Sequence, residues 1–189
     1  MAKSKKNVVT YGLSGKVGDL LVFRQVDGQT IVSQTPGKSR TPESKKQAAH
    51  RKRFQQAVLY AQIAIESPET GERYKAVAAK KGKKAFNLAV ADFFNAPDIE
   101  NIDVSGYCGN AGDQIRIIAR DDFAVKSITV RIVNSDGSLV EEGEAVNSVS
   151  ALWIYTATQD NENLEGDKIT VTVSDLPGNV SSDELKIEN

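Results

Sequence analysis

The sequence is poor in the residues that most protein chemistry is built from. It has one cysteine, one histidine and one tryptophan in 189 residues, and aromatic residues make up only 6% of the chain. With Cys108 alone, neither an intrachain disulfide nor a cysteine-based zinc site can form. His50 has no nucleophile or orienting carboxylate placed beside it by any motif, as general-base chemistry requires. It is also far in sequence from Cys108, which argues against a Cys–His pair. No apolar run approaches the roughly 20 residues needed to cross a bilayer. The basic start "MAKSKKNVVTYGL" has no apolar stretch of signal-peptide length behind it. The reading is a protein made in the cytoplasm without a signal peptide, which, if it works outside the cell, leaves by a leaderless route, by lysis or as part of a released particle. The glycines of "GLSGKVG" lack the GxxxxGK[ST] spacing of a phosphate loop. No helix-turn-helix, zinc-finger or RNA-recognition signature is present. These absences point to a non-enzyme that needs no cofactor.

Charge is abundant and unevenly placed. The net of −1 conceals two opposite halves. Residues 1–90 carry 18 Lys and Arg against 6 Asp and Glu, a net of +12, whereas residues 91–189 carry 6 against 19, a net of −13. Such asymmetry suits a polyanionic partner for the first half, or contact between the basic half of one copy and the acidic half of another.

Local patterns divide the chain at about the same place. In "LLVFRQVDGQTIVSQ", Asp27-Gly28 separates two strand-forming runs. It predicts a two-residue hairpin with Phe23 opposite Val32. "NVVTYGLSG" is expected to add a third strand. Thr41 then reads as an N-cap with Pro42 at the first helical position. The helix continues to about Glu66 along an apolar stripe of Phe54, Ala57, Val58, Ala61 and Ile65. A second helix is expected near residues 73–81. A third, in "KKAFNLAVADFF", has Phe86, Ala89, Val90 and Phe93 on one side. After Pro97 the period changes to two. Seven strands are expected at about 100–104, 113–120, 126–133, 139–145, 150–156, 168–174 and 179–187, with Trp153 in or against their core. The fold class is therefore an α+β segment, 1–96, followed by an all-β immunoglobulin-like sandwich, 97–189.

Two resemblances follow from these residues. "GDQIRIIARDDFAVKSITVRIVNSDGSL", "WIYTAT" and "GDKITVTVSDLPGNVS" resemble the bacterial immunoglobulin-like modules of surface and phage structural proteins. "GLSGKVGDLLVFRQVDGQTIV", "TPESKKQAAHRKRF" and "KKAFNLAVADFF" resemble a group of uncharacterised bacterial proteins with the same order of hairpin, basic helix and AFNxAV. The first resemblance implies a sandwich fold and suggests a component of a phage-like or other multi-subunit particle or filament. The second implies no activity.

Two sets of residues are candidate sites. At roughly 100° per residue, Lys45, Lys46, Lys52 and Arg53 form an arc opposite the Phe54 stripe, with His50 close to the stripe. Lys80, Lys81, Lys83 and Lys84 of "KKGKK", with Lys3, Lys5 and Lys6, add to this charge. Such a surface can face an acidic protein, including another copy of the chain, or track phosphates with strong salt dependence. No aromatic is interleaved to stack on bases. The second set is Asp121, Asp122, Asp175 and Asn179. In an immunoglobulin topology their loops share one end of the sandwich, where clustered oxygens could hold calcium or simply close local turns. A homo-oligomer is the expected assembly, and nucleic acid is the alternative partner.

Overall fold

The computed structural model describes residues 2–4, 8–35, 37 and 42–187. Among these lie three helices and twelve strands, the strands in three antiparallel four-stranded sheets. Backbone contacts divide the chain into two compact units, Met1–Ala48 and Ala49–Asn189. The change of sequence grammar at 96/97 is thus not where the contacts divide.

The first unit holds β1 (Ala2–Ser4), β2 (Gly15–Val17), β3 (Leu21–Val26) and β4 (Gln29–Gln34), in the order β1-β4-β3-β2. The hairpin is as expected. Asp27 and Gly28 take φ of 49° and 71°, the left-handed pair that a tight hairpin turn needs, and Phe23 pairs with Val32. The strand expected in "NVVTYGLSG" does not form. Val8 to Gly12 are turns, and the partner of β3 is Gly15–Val17. Positive φ at Gly12 and Gly15, 78° and 108°, bends the chain there and delays the ladder. Asn7 lies outside the described residues.

The helices α1 (Lys45–Glu66), α2 (Pro68–Lys80) and α3 (Ala85–Phe94) follow. α1 starts three residues beyond Pro42, at a reciprocal cap. Gln47 N donates to Ser44 Oγ at 3.2 Å, and Ser44 N donates to Gln47 Oε1 at 2.9 Å. The expected cap Thr41 lies outside the described residues. α2 begins well before Arg73, because Pro68 occupies its first turn.

The buried faces are rotated from those expected. α1 buries Ala57, Ala61 and Ala64, and α3 buries Leu88, Ala89 and Asp92. Phe54 and Phe86 remain 47% and 38% exposed. Close approach of the backbones selects the small residues. Thr70 Oγ1 donates to Ala64 O at 2.6 Å, and a Cβ on Gly71 would stand 2.2 Å from the Ile65 carbonyl oxygen. At Gly71 that corner leaves no room for a side chain.

Eight strands complete the chain: β5 (Asp98–Asp103), β6 (Gln114–Arg120), β7 (Val125–Val133), β8 (Leu139–Glu144), β9 (Val146–Val149), β10 (Leu152–Thr156), β11 (Lys168–Asp175) and β12 (Val180–Lys186). One sheet runs β5-β6-β10-β9 and the other β12-β11-β7-β8. The strand absent from the sequence reading is β9. All four of its residues are exposed, so it carries no alternation to detect. The alternating residues of both sheets meet in one core: Ile115, Ile117, Ala119 and Tyr155 from one, Ile128, Val130, Ile132, Ile169, Val171 and Val173 from the other. Trp153 packs against it half-buried, as expected.

Candidate functional site

Lys45, Lys46, Lys52, Arg53, Lys80, Lys81, Lys83 and Lys84 are exposed, and the structure sorts them. Arg53 turns back onto the end of α3, its guanidinium carbon 5.2 Å from the Phe94 ring centroid. Lys81 Nζ donates to Asp122 O at 2.5 Å. Among the described residues, Lys45, Lys46, Lys52, Lys80, Lys83 and Lys84 form no ion pair. Lys3 is described only in its backbone, and Lys5 and Lys6 lie outside the described residues. Along α1 the line through Lys45 and Lys52 continues into Leu59 and Ile63, which are 57% and 60% exposed. His50 is not toward the core. It is exposed and stacks on Phe94 with ring centroids 5.9 Å apart. Cys108 is an exposed thiol in the turn between β5 and β6.

The acidic loops do converge, and they do so around the C-terminal end of α3. Asp175 lies at the end of β11. Its Oδ1 accepts from Gly178 N at 2.8 Å and Asn179 N at 2.6 Å, and its Oδ2 from Asn179 Nδ2 at 2.7 Å. Asn179 Nδ2 also lies 3.2 Å from Asp92 O, 3.3 Å from Phe93 O and 3.1 Å from Asn95 O. It thereby meets carbonyls that the helix end leaves unpaired. Asn95 Nδ2 donates to Asp122 Oδ2 at 2.5 Å. Asp121 Oδ2 accepts from Phe123 N at 3.1 Å and Ala124 N at 2.9 Å. Among the described residues no three carboxylate, histidine or cysteine groups are placed to hold a metal ion. Asp121 Oδ2, Asp122 Oδ2 and both Asp175 oxygens receive N–H bonds from local turns, from Asn179 and from Asn95 beyond the helix end.

Beneath this rim lies a chain of buried hydroxyls and carboxyls. Tyr74 is wholly buried and its hydroxyl donates to Asp92 Oδ2 at 2.5 Å. With that proton committed, the 2.9 Å contact between Tyr60 and Tyr74 hydroxyls must run from Tyr60 to Tyr74. Phe123 stacks on Tyr74 with centroids 3.8 Å apart, and Arg73 covers Phe123 from 5.5 Å. Asp92 is itself 0% exposed. Burial, together with the nearby charges of Asp121 and Asp175, outweighs the Tyr74 bond and pushes its carboxyl up to about 7. Burial chiefly, with the Asp92 carboxylate beside it, pushes the Tyr74 hydroxyl far above its usual range.

The basic arc and acidic loops were visible in the sequence, whereas Tyr60, Tyr74 and Asp92 were passed over. The available signal was a carboxylate on an apolar face. Asp92 stands three and four residues after Ala89 and Leu88, the buried pair of α3. The geometry offers a tied joint between helices and sheets. The chain matches no protein-family model and no curated protein.

Proposed function

We propose that this chain is a non-enzymatic structural protein that assembles with copies of itself through residues 1–48, one component of a phage-like or other multi-subunit bacterial particle or filament. The observation that carries this reading is the sheet of the first unit, whose core is too small for a free-standing domain. Among its described residues only Phe23 and Thr30 are buried. Antiparallel pairing puts Val17, Leu21, Phe23 and Val32 on one face, and of these Val17 and Leu21 are 59% and 39% exposed. A four-stranded sheet with a bare apolar face needs a second surface to cover it. Opposite charge on the two halves of the sequence favours another copy as that surface. The unpaired Lys45, Lys46 and Lys52, leading into bare Leu59 and Ile63, add a second contact of the same character.

The β-rich part supports a displayed immunoglobulin-like domain. Its orders β5-β6-β10-β9 and β12-β11-β7-β8 correspond to strands A-B-E-D and G-F-C-C′ of that fold. Light scattering after size exclusion, with negative-stain microscopy, tests the assembly. Oligomers should form in the parent and dissociate in a Val17→Lys, Leu21→Lys variant. A parent that stays monomeric at high concentration and retards duplex DNA at moderate salt would reverse the assignment in favour of a phosphate-backbone binder.

A further inference from the structure

Two buried oxygens in the joint have no hydrogen-bond partner: Asp92 Oδ1 and Asp121 Oδ1. Both belong to one buried cluster, since Tyr74 bonds Asp92 and stacks on Phe123, whose N–H bonds Asp121, and the two carboxyls interact directly. Every other oxygen of the pair is occupied, Asp92 Oδ2 by the Tyr74 hydroxyl and Asp121 Oδ2 by two backbone N–H groups. Two adjacent acceptors without a donor are repulsive if both carboxyls are ionised. A single proton between them satisfies both at once.

We propose that Asp92 and Asp121 share one proton, and that this proton latches α3 onto the loop between β6 and β7, releasing it as pH rises. Burial and the neighbouring carboxylates favour keeping the proton on Asp92 and outweigh the Tyr74 hydroxyl bond, which favours the carboxylate. α1 presents Tyr60, and α2 presents Tyr74, whose hydroxyl is already committed. The β6–β7 loop presents Asp121, and the end of β11 presents Asp175, both negative toward Asp92. Cations on the surrounding elements are turned to other groups: Arg53 to Phe94, Arg73 to Phe123 and Lys81 to the Asp122 carbonyl.

The direction of the effect follows from linkage. A free aspartate loses its proton near pH 4, whereas Asp92 holds it to about 7 in the folded chain. The stability this proton contributes is therefore fully present below pH 4 and is lost as pH rises through 7. Across that window this one group lowers the folded-to-unfolded ratio by up to about tenfold per pH unit. This latch does not depend on the assembly proposed above, because it lies wholly within residues 49–189.

The test combines carbon-detected NMR titration of the aspartate carboxyls with urea unfolding of the full chain at pH 6 and pH 8.5, at a concentration where the oligomeric state has been measured. One carboxyl should titrate near pH 7 and vanish in Asp92→Asn. Asparagine can donate its amide to Asp121 while still accepting from Tyr74, so this variant should keep its fold and lose the stability difference that the parent shows between the two pH values. Asp121→Asn should return the Asp92 midpoint toward the ordinary range. If all carboxyls titrate below about pH 5, or if Asp92→Asn keeps the full pH dependence of the parent, the shared proton does not exist. A change of oligomeric state in these variants would bear on the assembly alone, since the carboxyl titration is read within one subunit.

Discussion

Residue by residue, the strongest constraints sit where a polar group is buried with a single partner. Tyr74→Phe removes the donor to Asp92 Oδ2 and leaves a buried acceptor bare, which costs about 1–3 kcal/mol. Tyr60→Phe removes a donor from a half-buried position and costs about 0.5–1 kcal/mol by the same reasoning. Urea unfolding of the two variants should rank Tyr74 above Tyr60. Equal effects would mean that the hydroxyl chain does not end on Asp92. A second polar group, Glu141, is 5% exposed, and its Oε2 accepts from Thr158 N at 2.8 Å and Thr158 Oγ1 at 2.7 Å. Burial, and then Glu141 beside it, push the Tyr155 hydroxyl well above its ordinary range. Tyr155 therefore stays neutral throughout the range in which Asp92 titrates, so the pH response belongs to the helix joint.

Among the elements, the corner between α1 and α2 shows packing overriding propensity. Alanine is a better helix former than glycine by up to about 1 kcal/mol, so propensity alone would make Gly71→Ala stabilising. The Cβ would instead enter the Ile65 carbonyl at 2.2 Å. The expected outcome is a lower melting temperature, with a net cost of about 1–3 kcal/mol from overpacking. At the other end of α1, Ser44→Ala should cost about 1 kcal/mol of local stability. Faster amide exchange in the first turn of α1, with little change in global unfolding, would separate fraying from a loss of fold. The sequence made these elements legible where the local signal was strong: the turn at Asp27-Gly28, the end of α1 at Glu66 before "SPETG", and the alternating strands β7 and β11. It misled where small residues carried the contact. The stripe included Ala57 and Ala61, which are buried, but it was led by the exposed Phe54 and passed over Ala64, because a small residue adds little to an apolar pattern. It misled again at β9, whose four exposed residues have no inner face to betray a strand.

On the scale of the whole molecule, charge is the organising feature. If opposite halves of neighbouring copies meet, association should weaken as salt rises from about 0.05 to 0.5 M, because the screening length shortens from over 10 Å to below 5 Å. Sedimentation velocity across that range provides the check. Assembly unchanged by salt would leave the apolar face of the first sheet as its sole cause. Reversing Lys45, Lys46 and Lys52 to Glu should weaken the same association without unfolding the chain, since all three are exposed and form no ion pair among the described residues.

The sequence by itself determined the hairpin and its register, the run of helices, most of the strands and the separation of charge. Each of these follows from local turn geometry, from period, or from counting. It also placed Asp121, Asp122, Asp175 and Asn179 at one end of the sheets. Only the tertiary structure decided what those residues do, because their partners come from α3, which is up to 87 positions away in the chain. It turned the acidic loops into caps for a helix end, and it buried Asp92 between Tyr74 and Asp121. A shared proton requires two carboxyls to be desolvated together, and that condition arises only when helix and loop are packed against each other.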